Sequence, residues 1–146
     1  MPNRFKSLLL VTLQFFFIFF LLKDAPFYRL PLAAYIFILL SVLLVSWAIL
    51  AMQKSKLRIM PEPAADAILV TNGPYRFIRH PMYTAILFGA AGLLMSHFTW
   101  VRLAVSVALF IVLIIKLKRE EKMLLLKFDG YKNYMAMSSR LFPFLF

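Results

Sequence analysis

Four stretches of the chain are nearly unbroken apolar runs, and the polar residues gather between and after them. The first run is Ser7–Leu22 and the second is Leu32–Met52. As a helix the second is about 30 Å long, enough to cross a bilayer core. Pro31 stands just before it, where a helix start tolerates proline. The third run extends from Met82 to about Met95 and the fourth from about Val101 to Ile115. Both are short for full spans. They are joined by "SHFTWVR", Ser96–Arg102, whose Trp suits a membrane interface. The pattern predicts a tight helical hairpin that either stops short of a full crossing or crosses with helices longer than their apolar parts. The expected fold is therefore all-α: one integral membrane helical bundle over residues 1–146, with membrane segments at about 7–22, 32–52, 82–95 and 101–117.

The polar intervals add detail. Gln53–Pro81 carries Pro61, Pro63, Pro74 and Pro81, which forbid one long helix there. Within it, "ILVTNGPY" predicts a short extended piece and a turn. After the fourth run, "KLKREEKMLLLKF", Lys116–Phe128, contains no helix breaker, so the fourth helix should leave the membrane and continue for several turns. Asp129-Gly130 is the expected stop, with Gly at the C′ position. "YKNYMAMSS" suits one more short helix, ended by Pro143.

Composition supports lipid as the solvent. Hydrophobic residues make up 63% of the chain and Phe appears 16 times; soluble domains are about 45–50% apolar. The net charge of +11 reads as membrane topology, because nucleic-acid modules are not this apolar. Ser7–Leu22 follows Arg4 and Lys6 as the core of a signal peptide would, but no small-x-small cleavage pattern follows at Lys23, Asp24, Ala25, Pro26 and Phe27. A retained helix of about 24 Å is expected. Fourteen Lys and Arg fall on the N-terminus, the 53–81 loop and the C-terminal part, against three (Lys23, Arg29 and Arg102) on the other side. That split predicts termini and long loop in the cytoplasm. It also places "NGPYRFIRHPMY", Asn72–Tyr83, on the same membrane face as "REE".

Candidate chemistry follows from that shared face. Arg76, Arg79 and His80 lie within five positions. They either touch lipid phosphates or form a binding site, and the bracketing Pro74 and Pro81 stiffen the backbone as a site requires. Tyr75 and Tyr83 offer flat, hydrogen-bonding rings, suited either to a nucleoside or to an interfacial aromatic belt. Glu120 and Glu121 are two of only six acids. On a helix they point about 100° apart. Either both are solvated and pair with Lys116 and Lys118 on their own helix, or one carboxylate accepts from a ligand while its neighbour pairs with a nearby Arg. Arg140 lies between Tyr131 and Tyr134 on one side and Pro143 on the other, where it can close over a site. No Gly-rich phosphate loop is present. Two His, predicted on opposite sides of the membrane, and no Cys predict neither a Ser-His-Asp site nor a metal site.

"LVTNGPYRFIRHPMY", followed about 40 residues later by "REEKMLLLKFDGYKNYMAMSSRLFP", resembles the isoprenylcysteine carboxyl methyltransferase and phospholipid methyltransferase family of integral membrane enzymes. The resemblance covers about Leu69 to Pro143: GPYR, RHPxY, paired Glu, spaced tyrosines and an Arg before a Pro occur in that order. It implies a cytoplasm-facing pocket for S-adenosylmethionine and a lipophilic methyl acceptor, either an isoprenylcysteine-type carboxylate or a phospholipid amine. It implies that Tyr75, Arg79, His80, Pro81 and Tyr83 line the cofactor site, with Glu120 and Glu121 supplying its acidic partner. Arg140 is expected near the acceptor, and His80 is a base for an amine acceptor. The competing readings are an NADPH-dependent reductase related to sterol reductases and a non-catalytic lipid-binding membrane protein. The reductases carry a similar segment, but with Asn before the Tyr and Gly-Glu after it; here Met82, Thr84 and Ala85 depart from that pattern.

Overall fold

A computed structural model describes residues 4–23, 25, 29–53 and 68–143. Asp24, Pro26 and Phe27, the loop prolines Pro61 and Pro63, the loop cations Lys54, Lys56 and Arg58, and residues 144–146 lie outside the described residues. The helices are α1 (Arg4–Lys23), α2 (Leu32–Met52), α3 (Pro81–Ser96), α4 (Trp100–Lys127) and α5 (Tyr131–Met137). A 3-10 turn occupies Gly73–Arg76. The fold is all-helical; Ile78 and Ser139 make one isolated parallel bridge. Three helices, α1, α2 and α4, are long and apolar enough to cross a membrane. The 16-residue α3 reaches about 24 Å and is the short one. At 28 residues, α4 runs about 42 Å, one continuous rod through the apolar run and past the two glutamates.

Between helices in lipid there is no hydrophobic driving force, so close packing and polar contacts must hold them. The α2–α3 pair shows how. A Cβ on Gly92 would stand 2.8 Å from Ile38 Cγ1 and 3.0 Å from the Ala34 carbonyl oxygen, and one on Gly89 would stand 3.1 Å from Ser41 Oγ. The bare backbone of α3 therefore sits directly on α2, and the Ser41 hydroxyl donates to the Ala85 carbonyl at 2.7 Å. Only Ala34 and Ala48 of α2 are fully buried, and much of the rest of the helix is exposed. The second pair is α1 with α4, and α3 touches both. Leu21, Tyr83, Ala90, Leu93, Leu109, Leu113, Leu117 and Leu141 form the core where they meet.

The local details agree with the sequence expectations at the hairpin and at the turn before α3, and differ at Gly130. The α3–α4 hairpin is tight, with His97–Thr99 as its connection, and Thr99 caps α4 by accepting from the Arg102 N–H at 3.1 Å. Trp100 is exposed there, with Phe98 edge-on at 5.6 Å. Gly130 is not a left-handed C′ residue. Its φ is −76°, and it precedes α5, while α4 ends at Phe128, whose N–H bonds the Leu124 carbonyl. The left-handed glycine is Gly73, at φ +58°. Ile68–Thr71 carries no regular element, Asn72 is extended at φ −104° and ψ 175°, and the expected turn follows at Gly73–Arg76. The chain enters the 3-10 turn directly because Gly73 reverses it and Pro74 fixes the next φ.

Candidate functional site

The 3-10 turn aims Tyr75 inward, where its ring packs with Ala48 and Val70 and its hydroxyl donates to Met52 Sδ. The following residues run beside the C-terminal segment. Arg79 N–H donates to the Ser139 carbonyl at 2.8 Å, Ser139 N–H to the Phe77 carbonyl at 3.1 Å, and His80 N–H to the Arg140 carbonyl at 3.1 Å. Tyr134 of α5 donates its hydroxyl to the Tyr75 carbonyl at 2.6 Å. Thr84 Oγ1 donates to the Leu141 carbonyl at 2.6 Å. The RHP segment is thus pinned on both sides by the last quarter of the chain. Pro81 opens α3, where a missing N–H costs nothing. One turn on, the Tyr83 ring lies parallel to His80, with centroids 5.3 Å apart and planes 3° apart.

The two glutamates of α4 take different work, as their angular separation requires. Glu121 faces the RHP segment. It accepts from Arg79 Nε at 2.7 Å and from Arg140 Nε at 3.0 Å, with His80 Nε2 at 3.6 Å. Arg79 is also spent on the protein: Nη1 donates to the Met135 and Ser138 carbonyls. Glu120 accepts from the Tyr83 hydroxyl at 2.8 Å and stands 3.7 Å from His80 Nδ1. Neither carboxylate makes an ion pair with Lys116 or Lys118 among the described residues, so the solvated, helix-internal arrangement is not the one the chain adopts.

A cavity of about 130 Å³ lies against this cluster. Tyr75, Arg79, His80, Pro81, Tyr83 and Glu120 line it, six of the residues singled out in the sequence. Glu121 and Arg140 do not line it; they stand behind it as a clamp. Gln14, Lys116, Leu124, Tyr131 and Tyr134 complete the wall together with Met52 and other apolar side chains. The sequence reading used none of these as ligand contacts. A signal existed for Lys116, a charge at the end of an apolar run, which marks a functional position as readily as a topology one. Gln14 had no comparable signal, because its contact depends on how α1 meets α4.

Two buried polar atoms at the site have no hydrogen-bond partner: His80 Nε2, since 3.6 Å is too long, and the Tyr131 hydroxyl. Such orphans are rare in folded proteins and call for a partner. Burial and the Glu121 charge raise the Tyr131 hydroxyl well above the ordinary tyrosine range. Burial and Glu120 do the same for Tyr75. Burial pushes Tyr134 up to about 12, against the opposing effects of Arg79 and Ser138. All three stay protonated in neutral solution and act as donors. The site therefore offers one carboxylate, one imidazole nitrogen and neutral hydroxyls to a polar ligand. Among the described residues no group of three or more His, Asp or Glu is placed to hold a metal.

Against known protein families, residues 30–130 match the model of one described as phospholipid methyltransferase. The chain belongs to the phospholipid methyltransferase family. It is a membrane protein of a methyltransferase family. The matched region takes in α2, the 3-10 turn, α3 and all of α4, and so both the RHP segment and the paired glutamates. Gln14 and Arg140 fall outside it. No curated protein matches the chain.

Proposed function

We propose that this protein transfers a methyl group from S-adenosylmethionine to a lipophilic acceptor, at a site on the cytoplasmic face of the membrane. The observation that carries the reading is a cavity beside membrane-type helices whose wall holds a part-open carboxylate and two unpartnered buried polar atoms. The residues fit such a cofactor. Glu120 keeps one oxygen without a partner among the described residues, suited to ribose hydroxyls or an ammonium. His80 Nε2 and the Tyr131 hydroxyl gain the partners they lack. At about 130 Å³ the cavity is smaller than the ~300–1,000 Å³ of typical ligand sites, so binding widens it. The family match supports methyl transfer over reduction by NADPH. The distribution of Lys and Arg supports the cytoplasmic orientation.

When bound, S-adenosylmethionine supplies the methyl group on a sulfonium, an electrophile that needs no further activation. The chain's own work is then alignment. Holding acceptor and donor in line contributes up to ~7–11 kcal/mol in well-oriented cases. Tyr83, locked between His80 and Glu120, is the rigid wall. Glu121 fixes Arg79 and Arg140, and through them the RHP segment, so Arg140 acts as a positioning residue and not as a direct acceptor contact. For an amine acceptor a proton must leave, and His80 is the proposed base; that its Nε2 has no hydrogen-bond partner among the described residues supports this role.

The test is calorimetric titration of the protein in detergent micelles with S-adenosylhomocysteine and, separately, with NADPH. Binding of the first is expected. Binding of NADPH with none of S-adenosylhomocysteine overturns the reading.

A further inference from the structure

Lys116 lies at the end of the apolar run of α4 and is almost fully buried, at 2% exposure. Its ammonium donates to Gln14 Oε1 of α1 at 2.8 Å and stands 5.3 Å from the centroid of the Tyr83 ring. No carboxylate lies within ion-pair distance of it among the described residues. Glu120, one turn further along α4, is engaged with the Tyr83 hydroxyl; its field reaches the ammonium without contact. An ammonium has three donors. One goes to Gln14, and the Tyr83 ring attracts the charge without accepting as a carboxylate would. Lys116 and Gln14 both line the cavity beside Glu120.

A cation buried at the end of an apolar helix run, with a neutral amide and a ring as its neighbours among the described residues, is costly. Architecture does not need it, because an apolar side chain there would pack against α1 without that cost. An anion entering the cavity would supply what the ammonium lacks. The position indicates which anion. Four residues along a helix is about 6 Å, and Lys116 is displaced by that distance from Glu120 toward the apolar run. A water-borne cofactor comes from the Glu120 side, whereas the Lys116 side is the one a lipid reaches.

We propose that Lys116, oriented by Gln14, is the subsite for an anionic group that the lipid acceptor carries beside its methylated atom, a phosphate or a carboxylate. This rests on the methyltransferase reading for the word acceptor. The subsite makes Lys116 a specificity-determining residue: it selects an amphiphile with a negative charge next to the reacting end. A phosphate two carbons removed from an amine fits best. Pairing with Lys116 then leaves the nucleophile itself undamped, whereas a nucleophilic carboxylate held by the same ammonium would lose reactivity.

The experiment titrates the full chain in dodecyl maltoside with three probes: dodecyl phosphate, dodecanol and S-adenosylhomocysteine. Dodecyl phosphate is expected to bind the wild type at least about tenfold more tightly than dodecanol, as a charge-assisted hydrogen bond allows. K116M should erase that preference and K116R should restore most of it, and K116M should lose more affinity for dodecyl phosphate than for S-adenosylhomocysteine. Gln14→Glu tests the same point without removing the lysine: its new carboxylate occupies the ammonium and should weaken dodecyl phosphate more than dodecanol. Should K116M fail to fold, K116R and Q14E carry the comparison. The proposal is overturned if dodecyl phosphate binds Q14E and the lysine variants as tightly as the wild type. It is also overturned if K116M loses S-adenosylhomocysteine and keeps dodecyl phosphate, for the anion is then the cofactor's own carboxylate. A wild type that binds dodecyl phosphate through Lys116 but never binds S-adenosylhomocysteine keeps the anionic-lipid subsite and sinks the methyltransferase reading.

Discussion

Each end of the helical bundle holds a buried arginine side chain, and the two bond to different kinds of partner. At the hairpin end, Arg102 is 5% exposed and its side-chain hydrogen bonds among the described residues go to backbone: its Nη2 donates to the Leu21 carbonyl at 2.5 Å and the Leu93 carbonyl at 3.3 Å, while its Nε has no partner there. Those carbonyls close the last turns of α1 and α3, where unsatisfied C=O groups and the helix dipoles favour a cation. At the other end, Arg79 meets a carboxylate, Glu121, which Arg140 shares and beside which one Glu120 oxygen has no partner among the described residues. A cation that only ties helices together needs neutral carbonyls. A cluster with paired acids, one engaged and one part-open, is arranged for a ligand. The contrast separates a structural arginine from a site arginine, although both are buried.

Substitutions can break that contrast, and the largest effect is expected at Glu121. Glu121→Gln leaves Arg79, 6% exposed, beside a neutral amide. Losing one partner of a buried pair costs about 3–5 kcal/mol. The melting midpoint in detergent should fall steeply, and ligand binding should fall with it. An unchanged midpoint would show that the clamp holds nothing. Next, Arg102→Met removes the cation from two helix ends. The Leu93 carbonyl keeps the Ser96 hydroxyl at 2.7 Å, but a buried Leu21 carbonyl losing its arginine costs about 1–3 kcal/mol. Here stability should drop while affinity for S-adenosylhomocysteine stays at the wild-type value. A matching drop in affinity would mean that the two ends are not independent.

Gly73→Ala lies between these regions in effect. A left-handed residue with a Cβ costs about 1–2 kcal/mol, and the added Cβ would stand 3.0 Å from Ala51 Cβ. Because the turn places Tyr75, a weakened cofactor affinity should accompany the lowered midpoint. If only the midpoint moves, the turn does not set the site. The smallest stability effect is expected for Glu120→Gln, because Glu120 is 24% exposed and touches one tyrosine. The midpoint should shift by less than about 1 kcal/mol equivalent. S-adenosylhomocysteine affinity should nonetheless fall roughly tenfold, the worth of a lost charge-assisted hydrogen bond. The reverse result, stability lost and affinity kept, would make Glu120 structural and Glu121 the ligand contact.

Much of the architecture was legible in the chain, because apolar runs bounded by proline and charge dictate helices in lipid whatever their neighbours are. The runs at 7–22, 32–52 and 82–95 appear as α1, α2 and α3 with ends shifted by at most three residues. The fourth continues unbroken to Lys127, as the absence of any breaker requires. Charge counting also placed the RHP segment and the glutamates together, and Arg79 does reach Glu121 across 42 positions of sequence. The roles inside the cluster were decided only by tertiary structure. Two adjacent helical carboxylates are equivalent in sequence, and the rotation of α4 alone sends Glu121 to the arginines and Glu120 to the cavity. The same rotation gives Lys116 to Gln14, a residue 102 positions earlier. It leaves Arg140 behind the site, held by Glu121. Periodicity fixes which residues share a helix face; which face meets which neighbour depends on how Gly89, Gly92 and Ser41 let α2 and α3 close together, and no local pattern encodes that.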